Sequence, residues 1–104
     1  MTIYNILAAE VVFISKPIEV EKNPDNNLPE AFYWKGNRKK ITTIVSAWQD
    51  WNYPAGAVKR NWRARRHRNY YRVECDDNKI YEIYLDRQTV DKPTWYLYRI
   101  IKEG

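Results

Sequence analysis

The residues with the clearest capacity for chemistry lie in one short segment, Lys59 to Arg68 (KRNWRARRHR). It contains one tryptophan, no acidic residue and six lysines or arginines in ten positions. Arginine binds phosphate through paired hydrogen bonds and stacks on bases, and an aromatic ring adds another stacking surface. The segment therefore indicates nucleic-acid contact, with phosphates held by Lys59, Arg60, Arg63, Arg65, Arg66 and Arg68 and a base stacked on Trp62.

Two other interpretations of this basic segment remain open. It could bind an acidic protein partner, or it could be a solvated loop paired with Asp76, Asp77 and Glu82. The charge balance favours a specific partner. The chain has 18 Lys+Arg against 13 Asp+Glu, and without the segment 12 against 13 remain, a net charge of −1. Such an asymmetry concerns binding partners rather than fold.

The other reactive residue types are expected to have structural roles. The single cysteine, Cys75, excludes an internal disulfide, and its place in an apolar alternation predicts a buried, inert thiol. The single histidine, His67, lies among arginines, and an exposed residue without a specific role is expected. One histidine and one cysteine are too few soft ligands for a metal site. Asp76 and Asp77 suit a turn. With no triad and no phosphate-binding glycine loop, we expect a non-enzymatic protein without cofactor or metal.

Three strand-like runs follow the basic segment and must position it. RNYYRVEC, KIYEIYLD and TWYLYRIIK, within Arg68 to Lys102, alternate in period two and are separated by turn residues. They predict a three-stranded antiparallel meander. One face is apolar and predicts the core: Tyr71, Val73, Cys75, Tyr81, Ile83, Leu85, Trp95, Leu97 and Ile101.

The opposite face of the meander combines charge with four tyrosines. It carries Tyr70, Arg72, Glu74, Ile80, Glu82, Tyr84, Asp86, Tyr96, Tyr98 and Ile100. As a stacking platform, it would offer Tyr70, Tyr84, Tyr96 and Tyr98 to bases, with Arg72 between these rings and the basic segment. A docking face for a protein partner and a half-solvated sheet face are the alternatives.

The first half of the chain completes the sheet. Residues 1–16 predict an arm with a strand across Val11–Ile14, Pro17 is expected to end pairing, and Ile18–Glu21 alternates like a short strand. A hairpin is expected over residues 31–48 with its turn at Gly36-Asn37. Trp48 and Trp51 are expected to close one end of a barrel.

These elements predict one all-β domain over residues 1–104. About six short antiparallel strands would form a strongly bent sheet or small open barrel of SH3-like or OB-like character. The units are the arm (1–16), a strand plus hairpin (17–51), the basic loop (52–68) and the meander (69–102). The apolar stretch Ile6–Ile14 is interrupted by Glu10 and follows no basic region, so we expect neither a signal peptide nor a membrane span, and a cytoplasmic protein.

Several short motifs together resemble a known family. They are Phe32, Trp34 and Gly36 in the hairpin, the pair Trp48 and Trp51, and the meander motifs Tyr71, Val73, Tyr81, Glu82, Ile83, Trp95, Tyr96, Leu97 and Arg99. Over residues 17–102 the chain resembles a small bacterial domain of unknown function often encoded beside, or fused behind, Y-family translesion DNA polymerases. The resemblance implies a DNA-linked context such as damage tolerance and implies no activity.

The functional expectation combines these observations. We expect a nucleic-acid-binding accessory module that prefers single strands. The alternative is a protein-interaction module that docks a polymerase or another partner through the tyrosine face. The sequence does not indicate an oligomeric state.

Overall fold

Seven β-strands make up the fold in the computed structural model, which describes residues 10–51, 67–88 and 91–102. These residues contain no helix, so none in the described ranges is long and apolar enough to cross a membrane. The expected all-β fold is confirmed, with seven strands rather than about six. The strands are β1 (Glu10–Ile18), β2 (Val20–Lys22), β3 (Pro29–Trp34), β4 (Asn37–Asp50), β5 (Arg68–Cys75), β6 (Ile80–Asp86) and β7 (Thr94–Lys102).

All seven strands belong to one antiparallel sheet in the order β1-β7-β6-β5-β4-β3-β2. The predicted meander is confirmed as β5, β6 and β7 at its centre. The two outermost strands, β1 and β2, are consecutive in sequence and separated by Glu19 alone, whose carbonyl accepts a hydrogen bond of 3.1 Å from the Tyr33 N–H. Because the first and last strands of the sheet are joined in this way, the sheet curls into a half-barrel. The predicted strongly bent sheet is therefore confirmed.

The core lies on one face of the sheet, here called the inner face. It buries Phe32, Val73, Cys75, Tyr81, Ile83, Trp95, Leu97 and Ile100, with Tyr71, Leu85, Ile41 and Ile44 partly buried against them. The period-two pattern therefore predicted the inner face of β5 and β6 correctly. The opposite face, here called the outer face, carries the tyrosines and arginines.

The pattern fails in the last strand because β7 contains a β-bulge. Leu97 lies opposite Ile83 and Arg99 lies opposite Glu82, so Tyr98 is an extra residue without a partner on β6. An extra residue in a strand reverses the face of the sheet to which each following side chain of that strand points. Ile100 consequently enters the core, and Arg99 moves to the outer face. The expected positions of Ile100 and Ile101 were therefore wrong.

Strand β4 departs from regular alternation for the same reason. Its pairing with β5 shifts between Ile41 and Thr43 and again between Ile44 and Ser46. Ile41 and Ile44 are both directed to the core, three residues apart, although strict alternation assigned them to opposite faces.

The expected hairpin is present, but its turn lies one residue earlier than predicted. Trp34 pairs with Asn37, so Lys35 and Gly36 form the turn, and both have positive φ (51° and 76°). A two-residue hairpin of type I′ needs positive φ at both positions because that backbone matches the twist of the strands. Asn37, which was predicted to lie in the turn, is instead the first residue of β4.

Pro17 does not end pairing, which corrects a second expectation. It lies within β1 opposite Tyr96. Because β1 is the first strand of the sheet, proline can occupy it without removing a hydrogen bond from a second neighbour. Pairing is irregular instead between Phe13 and Lys16, where Ser15 has a positive φ of 53°.

Candidate functional site

A line of aromatic rings crosses the outer face over four adjacent strands. Trp48 lies opposite Tyr70, Tyr70 opposite Tyr84, and Tyr84 opposite Tyr96. The ring centroids are 5.3, 5.0 and 5.1 Å apart, and the first and last pairs are stacked. Residues directly opposite on antiparallel strands share a face, so the register produces this arrangement, here called the aromatic row.

Two further rings extend the aromatic row towards β1. The bulge residue Tyr98 packs edge to face on Tyr70 at 5.7 Å and on Tyr84 at 6.1 Å. Phe13 of β1 packs edge to face on Tyr98 at 5.7 Å. Aromatic side chains thus occur on five strands, from β4 to β1.

The central rings of the aromatic row are not open to a ligand. Tyr70 is 7% exposed and Tyr84 is 6% exposed, because their neighbours occupy both sides of each ring. The expectation that these two tyrosines offer stacking faces was wrong. Tyr96 and Tyr98 are half-buried, whereas Trp48 is 39% exposed at the β4 end and Phe13 is 62% exposed at the β1 end. The accessible rings are therefore at the ends of the row.

Trp48 and Trp51 do not plug the barrel, although the sequence predicted that role. Both are more than a third exposed. The Trp48 ring lies parallel to Tyr70, and beside it is a cavity of about 250 Å³ lined by Leu28, Ala47, Trp48, Gln49, Asn69, Tyr70 and Tyr71. The Trp51 indole donates a hydrogen bond of 3.0 Å to Gln49.

A charged triad lies next to the aromatic row. Glu82 is fully buried, and its carboxylate accepts hydrogen bonds from Arg72 (2.7 Å from Nε) and from Arg99 (3.2 Å from Nη2). Burial by itself raises the pKa of Glu82, but the hydrogen bonds from Arg99 and Arg72 outweigh burial and hold that pKa below its usual range. The partners of Glu82 are thus two arginines of the sheet, one on β5 and one on β7.

Both arginines of the triad remain accessible. The Arg72 side chain is 37% exposed and the Arg99 side chain 26% exposed. Arg72 lies 5.9 Å from the Trp48 ring centroid, and Arg99 lies 5.8 Å from that of Phe13. Each exposed ring of the outer face thus has a guanidinium beside it.

Arg68 lies on the other side of the aromatic row. It donates a hydrogen bond of 3.1 Å to the Tyr70 hydroxyl, lies 4.5 Å from the Tyr84 ring centroid and is 4.0 Å from an Asp86 oxygen. Of the six predicted phosphate-binding cations, Arg68 is the one within the described ranges. These contacts hold Arg68 against the sheet, so its main role is to fix the side chains of Tyr70 and Tyr84 in position.

The remaining residues predicted in the basic segment fall in the gap between residues 51 and 67, outside the described residues. They are Lys59, Arg60, Trp62, Arg63, Arg65 and Arg66. Chain connectivity nevertheless relates them to the site. They belong to the connection between the end of β4 at Asp50 and the start of β5 at Arg68, two residues from the Trp48–Tyr70 pair.

His67 is buried, which corrects the expectation of an exposed residue. It is 1% exposed and packs edge to face against Trp51, with centroids 5.0 Å apart. Its carbonyl accepts a 2.7 Å hydrogen bond from the Arg87 N–H. The charge of its sequence neighbours suggested solvent exposure, but the ring is buried and packs against Trp51.

Cys75 and the carboxylates near it have the structural roles expected of them. Cys75 is buried in the core, and burial raises the pKa of its thiol to about 12. Asp77 lies in the β5–β6 turn, where it accepts a 3.0 Å hydrogen bond from the Lys79 N–H. Among the described residues, no three His, Cys, Asp or Glu side chains are grouped so as to hold a metal ion.

Sequence reasoning missed three residues of the outer face. Trp48 and Phe13 carry its exposed rings, and Arg99 completes the triad. Trp48 was recognisable as an aromatic residue in a strand-like run. No sequence signal placed Phe13 or Arg99 on this face, because irregular pairing in β1 and β7 determines their positions.

The chain matches a protein family over most of its length. A domain of unknown function (DUF6504) matches residues 7–102, which is nearly the whole chain. The chain therefore belongs to this family. No curated protein and no solved structure gave a significant match.

Proposed function

We propose that this DUF6504 domain is a non-enzymatic nucleic-acid-binding module that prefers single strands. The observation that supports it best is the exposed Trp48 ring, with its cavity, next to the connection that carries five of the chain's cations. Single-strand binders combine aromatic stacking surfaces with a positive path for the backbone. Trp48 lies at the end of the sheet where the connection that carries these cations leaves β4 and enters β5.

Bases would stack at the ends of the aromatic row. Trp48 is the primary stacking residue, since its outer surface is exposed and its other side is supported by Tyr70. A ring held rigidly in this way loses little conformational freedom when a base binds. Tyr70 and Tyr84 support the exposed rings rather than contact the ligand. Tyr96 and Tyr98, which are half-buried, offer ring edges.

Phosphates would contact cations on both sides of the row. Lys59, Arg60, Arg63, Arg65 and Arg66 supply the sequence-independent attraction. Arg72 and Arg99 would add directed contacts from their exposed N–H groups, because Glu82 neutralises one of these two charges and leaves the triad with a net charge of +1.

The proposal extends to a role in DNA damage tolerance. The resemblance to domains encoded beside or fused to Y-family translesion polymerases suggests that the ligand is single-stranded template DNA. A domain that holds such a strand near a polymerase would act by binding alone, so it would need no catalytic residue.

A specific observation favours a second candidate, docking of a protein partner on the outer face. Val11, Phe13, Val45 and Trp48 are exposed large apolar side chains on or next to this face. The first two lie on β1 and the last two on β4, so they flank the aromatic row, and exposed apolar surface marks protein interaction sites. In this alternative the aromatic row would bind a polymerase or another protein, and the basic connection would contribute only long-range attraction.

Fluorescence anisotropy of a labelled single-stranded oligonucleotide tests the proposal. Binding should weaken with salt at a slope equivalent to four or more phosphate contacts, at about −0.7 per contact. Trp48→Ala should weaken binding by roughly 5- to 100-fold, as expected from about 1–3 kcal/mol per stacked base. Tyr33→Ala is the matched control, an exposed ring on β3 outside the aromatic row.

Nucleic-acid binding and protein docking predict different results for these variants. If the folded protein does not bind at low salt, the nucleic-acid proposal is wrong. If binding occurs but Trp48→Ala and Tyr33→Ala behave alike, the aromatic row is not the binding surface. Protein docking would instead show loss of partner binding with Trp48→Ala or Phe13→Ala and little dependence on salt.

A further inference from the structure

A second cavity lies at the end of the half-barrel opposite the basic connection. It has a volume of about 220 Å³ and lies between the β3–β4 turn and the β5–β6 turn. Its lining residues are Trp34, Lys35, Asn37, Lys39, Lys79, Tyr81 and Ile100. None of them belongs to the aromatic row or the triad.

The floor of this cavity is formed by the core. Tyr81 and Ile100 are buried and lie opposite each other on β6 and β7, and Trp34 packs against the same core cluster. Mouths of β-barrels are frequent ligand sites. The volume is below the roughly 300–1,000 Å³ of pockets for drug-sized molecules, so a ligand here must be small.

The rim of the cavity is strongly cationic. Three lysines line it, and Asp77 is the acidic residue that contacts them, through its 3.3 Å ion pair with Lys39. Asp77 is fully engaged, because it also accepts hydrogen bonds from the Tyr81 hydroxyl (2.5 Å) and the Lys79 N–H (3.0 Å). Within the described ranges, the Lys35 and Lys79 ammonium groups have no carboxylate within 4.0 Å. Counted over the described residues, the rim therefore carries a net charge of +2.

The Trp34 indole lies beside this charge. The Lys35 ammonium is 5.7 Å from the Trp34 ring centroid, so a cation and a flat apolar surface are adjacent. The same combination suits a ligand with an anionic end and a planar organic part. The side-chain amide of Asn37 offers an additional hydrogen-bond donor.

We propose that this cavity binds a small phosphate monoester. Lys35, Lys79 and Asn37 donate hydrogen bonds to the phosphate oxygens, and the planar group lies against Trp34. A phosphate monoester carries a charge near −2 at pH 7, because its second pKa is about 6. That charge matches the two ammonium groups of Lys35 and Lys79, whereas a monocarboxylate would neutralise only one.

This site is independent of the proposed nucleic-acid surface. It lies on the inner face at the turn end of β4 and β5, whereas Trp48 and the basic connection lie at the other end of these strands. Loss of one binding activity should therefore leave the other intact.

Titration of ¹⁵N-labelled full-length protein tests the site. The probe is phenyl phosphate, compared with benzoate and inorganic phosphate in separate titrations at low salt. Phenyl phosphate should give saturable shifts at the Lys79 and Asn37 signals and the Trp34 indole. It should bind at least tenfold more tightly than benzoate, which has one charge, or inorganic phosphate, which has no ring.

Charge-removing variants complete the test. Lys35→Gln with Lys79→Gln should weaken phenyl phosphate at least tenfold, and Lys92→Gln, an exposed lysine in the β6–β7 connection, should leave affinity unchanged. Dispersed spectra will show that these surface variants are folded. The proposal is overturned if phenyl phosphate gives no saturable shift at the cavity, if Lys92→Gln has the same effect, or if benzoate binds equally well.

Discussion

Glu82 stabilises the folded sheet by pairing with the two arginines of the outer face, Arg72 and Arg99. It is fully buried and pairs with two arginines that keep partial access to water. Removing one partner of a buried ion pair costs about 3–5 kcal/mol, and the water access of both arginines favours the low end. We expect Glu82→Gln to lower the free energy of unfolding by about 3 kcal/mol in urea denaturation.

The control for this prediction is another glutamate of the sheet. Glu30 is exposed on β3 and has no ion pair among the residues described. Glu30→Gln should change stability by less than about 0.5 kcal/mol. Equal effects of the two substitutions would show that the triad does not stabilise the fold.

The triad also predicts how stability depends on pH. The pKa of Glu82 is lower in the folded protein than in the unfolded chain, where glutamate titrates near 4.3. Its stabilisation is therefore complete above that value and is lost as the pH falls through the lower, folded-state pKa. Thermal unfolding should show a melting temperature that declines below about pH 5. Glu82→Gln should flatten this decline, and Glu30→Gln should not.

At the residue scale, sequence reasoning succeeded where one local property determined the outcome. Cys75 is buried, as predicted, because the alternation of β5 directs it inward. It failed for His67, Tyr70 and Tyr84. Their burial involves rings from distant parts of the chain, and the partners of a ring cannot be read from its own neighbours in sequence.

Strand β7 shows how a single residue sets the arrangement of an element. Because Tyr98 is the unpaired bulge residue, its deletion would leave Arg99 opposite Glu82 and Ile100 in the core. We expect the Tyr98 deletion to fold, with a loss of roughly 1–3 kcal/mol from its aromatic contacts. Deletion of the paired residue Tyr96 should prevent folding, because it displaces the inward and outward faces of β7 relative to β6.

Circular dichroism and urea denaturation of the two deletion variants measure this difference. Both variants lose one tyrosine from the same strand, so the comparison isolates register from composition. If both fail to fold, the bulge is required for curvature rather than merely tolerated. The bulge also explains why the sequence could not locate Arg99, since a regular alternation and a bulged one use the same residue types.

The β3–β4 turn allows a stabilising change. Lys35 has a positive φ of 51°, which costs energy for lysine and little for asparagine. Lys35→Asn should raise the free energy of unfolding by about 0.5–1 kcal/mol, since Asn-Gly is a preferred pair for this turn. Lys40→Asn, within β4, is the control and should be neutral or destabilising. A destabilised Lys35→Asn variant in urea denaturation would contradict the turn geometry.

At the scale of the whole molecule, sequence patterns predicted the architecture better than its details. The meander and the strong bend were predictable because strand alternation and turn residues are local signals. The join of β1 to β2 at Glu19 and the irregular pairing in β1, β4 and β7 were not. These features depend on how distant strands meet, so Phe13 and Arg99 lie in the candidate site without a sequence signal.

The concentration of positive charge in the basic segment leads to a final prediction. Replacing Lys59, Arg60, Arg63, Arg65 and Arg66 by glutamine would reduce the net charge of the chain from +5 to 0. Arg68 is kept because it contacts Tyr70, Tyr84 and Asp86. The variant should weaken oligonucleotide binding and reduce the magnitude of the salt slope by up to about 3.5, at roughly 0.7 per lost phosphate contact.

Trp48→Ala is the informative comparison for this charge variant. It should lower affinity at every salt concentration and leave the slope unchanged, because stacking releases no counterions. Anisotropy titrations at several salt concentrations separate the two effects. A charge variant that retains the full slope would place the phosphate contacts on Arg72 and Arg99 instead, and the outer face alone would then account for binding.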